Sequence, residues 1–114
     1  MKQKAYIGKR PTEFKFMGRT YQIQYIKEMP EEALGLTHHE STGVLIRDGQ
    51  SPIEEADTVI HEFFHILWHL MGMTADIEDS MEERVVRTMS TALVASIKDN
   101  PNILDYLKHA LKED

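Results

Sequence analysis

The sequence predicts an α+β domain: a short antiparallel sheet of three to four strands followed by three helices. Three observations carry that expectation. Two-residue alternation of large apolar side chains is confined to the stretch between Glu13 and Asp48. Beyond Gln50 the apolar residues recur at helical spacing instead. That helical half is interrupted twice, by Gly72 with a polar connector and by Asp99-Asn100-Pro101, which divides it into three. At 114 residues the chain fits one domain with a core of its own. Residues 1–12 read as a basic tail, and residues 13–114 as the domain.

EFKFM and RTYQIQYI flank Gly18 and predict a hairpin whose large side chains are Phe14, Phe16, Tyr21, Ile23 and Tyr25. Lys27 to Ala33 carries Pro30 and three glutamates, a connection with room for a helical turn. Leu34 to Glu40 and Gly43 to Asp48 form a second pair around a Ser41-Thr42-Gly43 turn, and Asp48-Gly49-Gln50 closes the sheet.

Ser51-Pro52-Ile53-Glu54 is a strong helix start: an N-cap serine, proline at the first helical position and the glutamate of a capping box. With Gly72 as its stop, the helix is about 20 residues and roughly 30 Å long. Val59, Ile60, Phe63, Phe64, Ile66, Leu67 and Leu70 define its apolar face. Ser80-Met81-Glu82-Glu83 offers a second capping box, opening a helix to Lys98 with Val85, Val86, Met89, Leu93, Val94 and Ile97 on its apolar side. Asn102 to Lys112 is a terminal amphipathic helix, expected to pack on the helix pair through Ile103, Leu104, Tyr106, Leu107 and Leu111. The seven methionines read as core filler.

The first helix carries His61-Glu62-Phe63-Phe64-His65. Histidines four apart stand one turn apart on one helix face, so one zinc ion can take a ring nitrogen from each at roughly 2.0–2.1 Å. Both fall away from the centre of the apolar face, where a core histidine would not. Glu62 then stands beside the metal as the base for an activated water, the division of labour in HExxH hydrolases.

Composition bounds the alternatives. With no Cys, disulfides and thiolate metal sites are excluded, so a transition-metal site must be built from His and carboxylate. A net charge of −6, spread rather than blocked, argues against nucleic acid as a partner. No apolar run is long enough to span a membrane, and the basic start lacks a signal peptide's apolar segment. The expectation is a cytoplasmic protein.

Two histidines leave a zinc site one ligand short. The glycine turn of metzincins would need Gly at 68 and His at 71, where this chain has Trp68 and Met71. His69 lies about 6 Å further along the helix axis, too far to share the ion. The following helix offers Glu82 and Glu83, and either gives the His₂Glu set of gluzincin hydrolases. Glu82 points to the middle of the apolar side. Glu83 lies at its edge, above Ser90, where a group lining a pocket belongs. We prefer Glu83, with Glu82 as the alternative, and Arg87 one turn on as the group that orients Glu83.

TVIHEFFHIL followed by MEERVVRTMSTALVASIKDNP resembles the small ImmA/IrrE-like metallopeptidases of bacteria and bacteriophages. Setting their second-helix pattern on Glu83 puts Val86, Met89 and Ser90 in the matching places; Arg87 departs from the Asp or Asn often found there. SprT-like proteins share HExxH but use a third histidine, which this chain lacks before His109. The resemblance implies a zincin-like fold and a zinc-dependent endopeptidase, often acting on a repressor protein. The substrate would be a protein or peptide, expected to lie extended along the 43–48 strand. His38, His39 and Tyr106 are candidates for oxyanion stabilisation. The competing expectation is a zincin-fold binding module acting by association, which an intact Glu62 argues against.

Overall fold

Met17 and Gly18 both take positive φ (51° and 77°), the two-residue turn whose twist matches that of paired strands. The structure, a computed structural model describing residues 9–112, places this turn between β1 (Glu13–Phe16) and β2 (Arg19–Ile26), paired antiparallel with Phe14 opposite Tyr21. A 3₁₀ turn at Pro30–Glu32 leads to β3 (Gly35–His38), and β4 (Gly43–Arg47) pairs antiparallel with it. The α+β class and the order of strands before helices are as the sequence predicts.

The sheet is mixed rather than wholly antiparallel. Its order is β1-β2-β4-β3, and the central β2–β4 pair is parallel, with Ile23 beside Val44 and Tyr25 beside Ile46. Burial explains the order. Val44 and Ile46 are 1% and 0% exposed, whereas β3 has no fully buried residue. The more apolar strand takes the centre and the Gly- and Thr-bearing one the edge. Tyr21, Ile23, Val44 and Ile46 form the sheet's side of the core, while Thr20, Gln22 and Gln24 face outward.

Helix α1 (Pro52–Leu70) covers that inner face with Val59, Phe63, Ile66 and Leu70, and Phe14 stacks on Phe63 with ring centroids 4.2 Å apart. The expected capping box is present: Ser51 Oγ accepts from the Glu54 amide and Glu54 Oε1 from the Ser51 amide. Gly72, at φ 82°, ends the helix region. Helix α2 (Asp79–Asp99) lies against α1 through Val86 and Ser90, 1% and 0% exposed. Its expected capping box does not form. Glu78 is the N-cap, and Ser80 lies inside the first turn with its hydroxyl donating to Glu78 Oε1. Glu83 is thereby free of any capping role.

Other expectations are corrected. Helix α3 (Pro101–Ala110) touches α2 but buries no residue; Ile103, Leu104, Leu107 and Tyr106 are all exposed, as is Leu111 just beyond it. Non-helical dihedrals at Asn100 (φ −134°, ψ 65°) break it from α2. Of the methionines, Met29 is buried, whereas Met17, Met71, Met73, Met81 and Met89 are exposed in turns and on outward helix faces. Of the basic tail, residues 1–8 lie outside the described residues, and Arg10–Thr12 belong to the domain. Arg10 reaches Asp48 Oδ1 at 2.8 Å and the buried Glu55 at 2.9 Å, and stacks 4.6 Å over Tyr25. Its hydrogen bond holds the Asp48 carboxyl below the usual range. The Thr12 carbonyl accepts from the Ile23 amide. Among the described residues no helix is long and apolar enough to cross a membrane.

Candidate metal centre

One turn of α1 separates His61 from His65, and both rings project toward the first two turns of α2. The two Nε2 atoms are 3.2 Å apart. Glu83 adds its carboxylate, with Oε1 3.1 Å from His65 Nε2 and Oε2 3.5 Å from His61 Nε2. A tetrahedral ion with ligands at roughly 2.0–2.1 Å holds them about 3.3–3.4 Å from one another, the range these separations span, with the two carboxylate distances belonging to different oxygens. Among the described residues this is the group of His, Asp and Glu side chains that could hold a metal ion.

The chemistry of the donors points the same way. Glu82 Oε2 lies 2.7 Å from His65 Nδ1, a charge-assisted hydrogen bond in which Nδ1–H donates to the carboxylate. A neutral imidazole protonated at Nδ1 carries its lone pair on Nε2. That lone pair faces a second carboxylate and a second imidazole nitrogen, an arrangement a cation relieves. Glu82 and Glu83 therefore both reach His65, from opposite ring nitrogens: Glu83 stands with the converging atoms, and Glu82 fixes the ring's tautomer and orientation. Arg87 Nη2 donates to Glu83 Oε2 at 2.7 Å, in the orienting position expected of it. Burial pushes the Glu83 carboxyl upward, but the hydrogen bond from Arg87 leads the contributions that hold it below the usual carboxylate range.

Glu62 is outside this group and is 5% exposed. The Thr37 hydroxyl donates to its Oε1 at 2.6 Å. Gly35 of the same strand lies so close that an added Cβ would meet Thr58 Cγ2 at 2.8 Å and Glu62 Oε2 at 2.9 Å. Gly35→Ala is accordingly expected to force β3 and Glu62 apart at a cost of about 1–3 kcal/mol. Urea unfolding measures this, and a wild-type midpoint would show that the strand gives way freely.

A groove of ≈ 820 Å³ runs between β3 and the two helices, lined by Gly35, Thr37, His39, Asp57 and Thr91 beside the convergent group. Asp57 also borders it, accepting a hydrogen bond from the Thr91 hydroxyl at 3.1 Å with the Ser90 hydroxyl 3.5 Å away. The strand expected to border a substrate, 43–48, is enclosed between β2 and β3; the open edge belongs to β3. There the Arg47 amide donates to the Leu34 carbonyl, and the alternation of an antiparallel ladder leaves Gly35 and Thr37 with backbone groups turned outward over the groove.

Of the candidate oxyanion residues, His39 lines the groove, whereas His38 is exposed and Tyr106 lies on α3, outside the lining. His39 Nδ1 is 3.0 Å from the Tyr21 hydroxyl, and its ring stacks on His69 at 4.0 Å. Burial, with His69 beside it, lowers the His39 pKa. Sequence reasoning missed Gly35, Thr37 and Asp57, whose roles depend on neighbours 23 or more residues away in the chain. Comparison with family models, curated proteins and solved structures returned no match.

Proposed function

We propose that this chain is a zinc-dependent endopeptidase of the HExxH type. The observation that carries the reading is the convergence of His61 Nε2, His65 Nε2 and the Glu83 carboxylate within zinc-ligand spacing, with Glu62 beside them and free of the group. Those three residues would hold the ion. Bound there, zinc supplies Lewis-acid activation of a water molecule and of a substrate carbonyl.

The remaining work falls to the chain itself. Glu62 accepts a proton from water in the groove and returns it to the leaving amine. Glu82 holds the His65 ring, and Arg87 keeps the Glu83 carboxylate aimed at the histidines. The outward backbone groups of Gly35 and Thr37 bind an extended peptide as an added strand. The resemblance to ImmA/IrrE-like metallopeptidases extends the proposal to a regulatory protein of the repressor type as substrate, met in the cytoplasm.

Purified protein is expected to contain about one zinc per chain by elemental analysis. It should cleave a mixture of fluorescence-quenched heptapeptides, lose that activity on chelation and regain it with zinc. A folded, metal-free protein that cleaves the mixture sinks the metal reading. A zinc-loaded protein that cleaves nothing favours the binding-module reading.

A further inference from the structure

We propose that Thr37 is a positioning residue for the catalytic base, fixing the Glu62 carboxylate through its hydroxyl so that Oε2 is the oxygen that takes the proton. The inference rests on the peptidase reading and assigns a role that the HExxH pattern does not contain. Thr37 lies on the edge strand, 25 residues before Glu62, and its Oγ1 donates to Glu62 Oε1 at 2.6 Å. The length is that of a charge-assisted bond, the class most able to fix a side chain in one rotamer. Glu62 is 5% exposed, so water offers little competition for Oε1. Gly35 leaves room on the other side, since a Cβ there would stand 2.9 Å from Oε2. The carboxylate is thus set by two residues of one strand: the Thr37 hydroxyl engages Oε1, and the missing side chain of Gly35 leaves Oε2 free to take a proton.

That strand is also where a substrate would pair. Thr37 occupies a position opposite Val44 at which the ladder leaves its backbone amide and carbonyl facing the open edge. One residue therefore offers its backbone to the peptide and its side chain to the base. Seating a peptide on β3 sets the scissile carbonyl in register with Oε2, because both are referred to the same Cα. In the reaction the water O–H bond breaks and its proton passes to Oε2. The electron pair stays on the oxygen, which bonds to the carbonyl carbon. When the C–N bond breaks, the amine nitrogen takes its proton from Oε2. Throughout, Oε1 keeps the Thr37 hydrogen bond and holds the carboxylate plane still.

Two substitutions separate this role from a purely structural one. Thr37→Val keeps the β-branched shape that suits an edge strand and removes the hydroxyl. Thr37→Ser keeps the hydroxyl and gives up the shape. Positioning predicts that zinc-loaded Thr37→Val loses about 10–100-fold in kcat on the heptapeptide mixture, with KM and zinc content unchanged, and that Thr37→Ser recovers most of the loss. A structural role predicts the reverse order, with Val active and Ser impaired, and that result would overturn the proposal. A second readout needs no turnover. In zinc-loaded protein labelled at threonine, NMR should find the Thr37 hydroxyl proton protected from solvent exchange, and Glu62→Ala should abolish the protection. Protection that survives Glu62→Ala also overturns it. If zinc-loaded wild type shows the protected proton yet cleaves nothing, the peptidase reading fails while the hydrogen bond stands.

Discussion

Glu62→Gln is expected to retain the metal and to lower hydrolysis by about 10²–10⁴-fold, the range a positioned general base contributes. The amide occupies the same volume, so the close approach of Gly35 is undisturbed. Its carbonyl oxygen can still accept the Thr37 hydroxyl, as Oε1 does now. What it cannot do is take a proton. Because Glu62 is outside the convergent group, the ligand set is untouched and zinc content should match wild type. Elemental analysis and kcat on the heptapeptide mixture, taken on one preparation, test both halves. Turnover within a few-fold of wild type would falsify the assigned role. Loss of zinc would instead make Glu62 part of the metal site.

Glu83→Ala is expected to empty the site, whereas Glu82→Ala should weaken zinc binding by about 10–100-fold and leave the ion in place at saturation. The difference follows from where each carboxylate meets His65. Glu83 joins the two Nε2 atoms, so its removal leaves two donors for an ion that needs at least three from the protein. Glu82 is on Nδ1, so its removal frees the ring to rotate and to change tautomer without deleting a donor. A lost helix cap cannot imitate either effect, since neither residue caps α2. Competition against a chelator of known affinity ranks the two variants. Retention of zinc by Glu83→Ala with loss in Glu82→Ala would reverse the assignment.

The parts legible in the sequence are those set by short-range geometry. Ser51, Pro52 and Glu54 specify a helix start within four residues, and the 3.6-residue repeat then puts His61 and His65 on one face. Gly18 between alternating segments is equally local, and the first hairpin follows from it. Glu83 and Glu82 are harder to tell apart, because both sit in one turn of α2 and differ by about 100° of helix rotation. The sequence placed Glu83 at an edge. Only the approach of α1, set by Val86 and the small Ser90, brings one carboxylate to Nε2 and the other to Nδ1.

The remaining features are decided by packing between segments distant in sequence. Gly43-Val44-Leu45-Ile46 alternates equally well as an edge or a central strand. It becomes central because Val44 and Ile46 are buried under α1, and the parallel pairing with β2 then exposes β3 as the rim of the groove. Thr37 and Gly35 read as ordinary strand residues until that rim is laid on Glu62. The amphipathic pattern of α3 marks an apolar face without naming what covers it, and the Asn100 turn carries that face away from the helix pair. Local spacing places His61, Glu62 and His65, because one helix carries all three. The approach of Glu83 to the histidines and of the Thr37 hydroxyl to Glu62 depends on distances across two interfaces, which no periodicity within a single segment encodes.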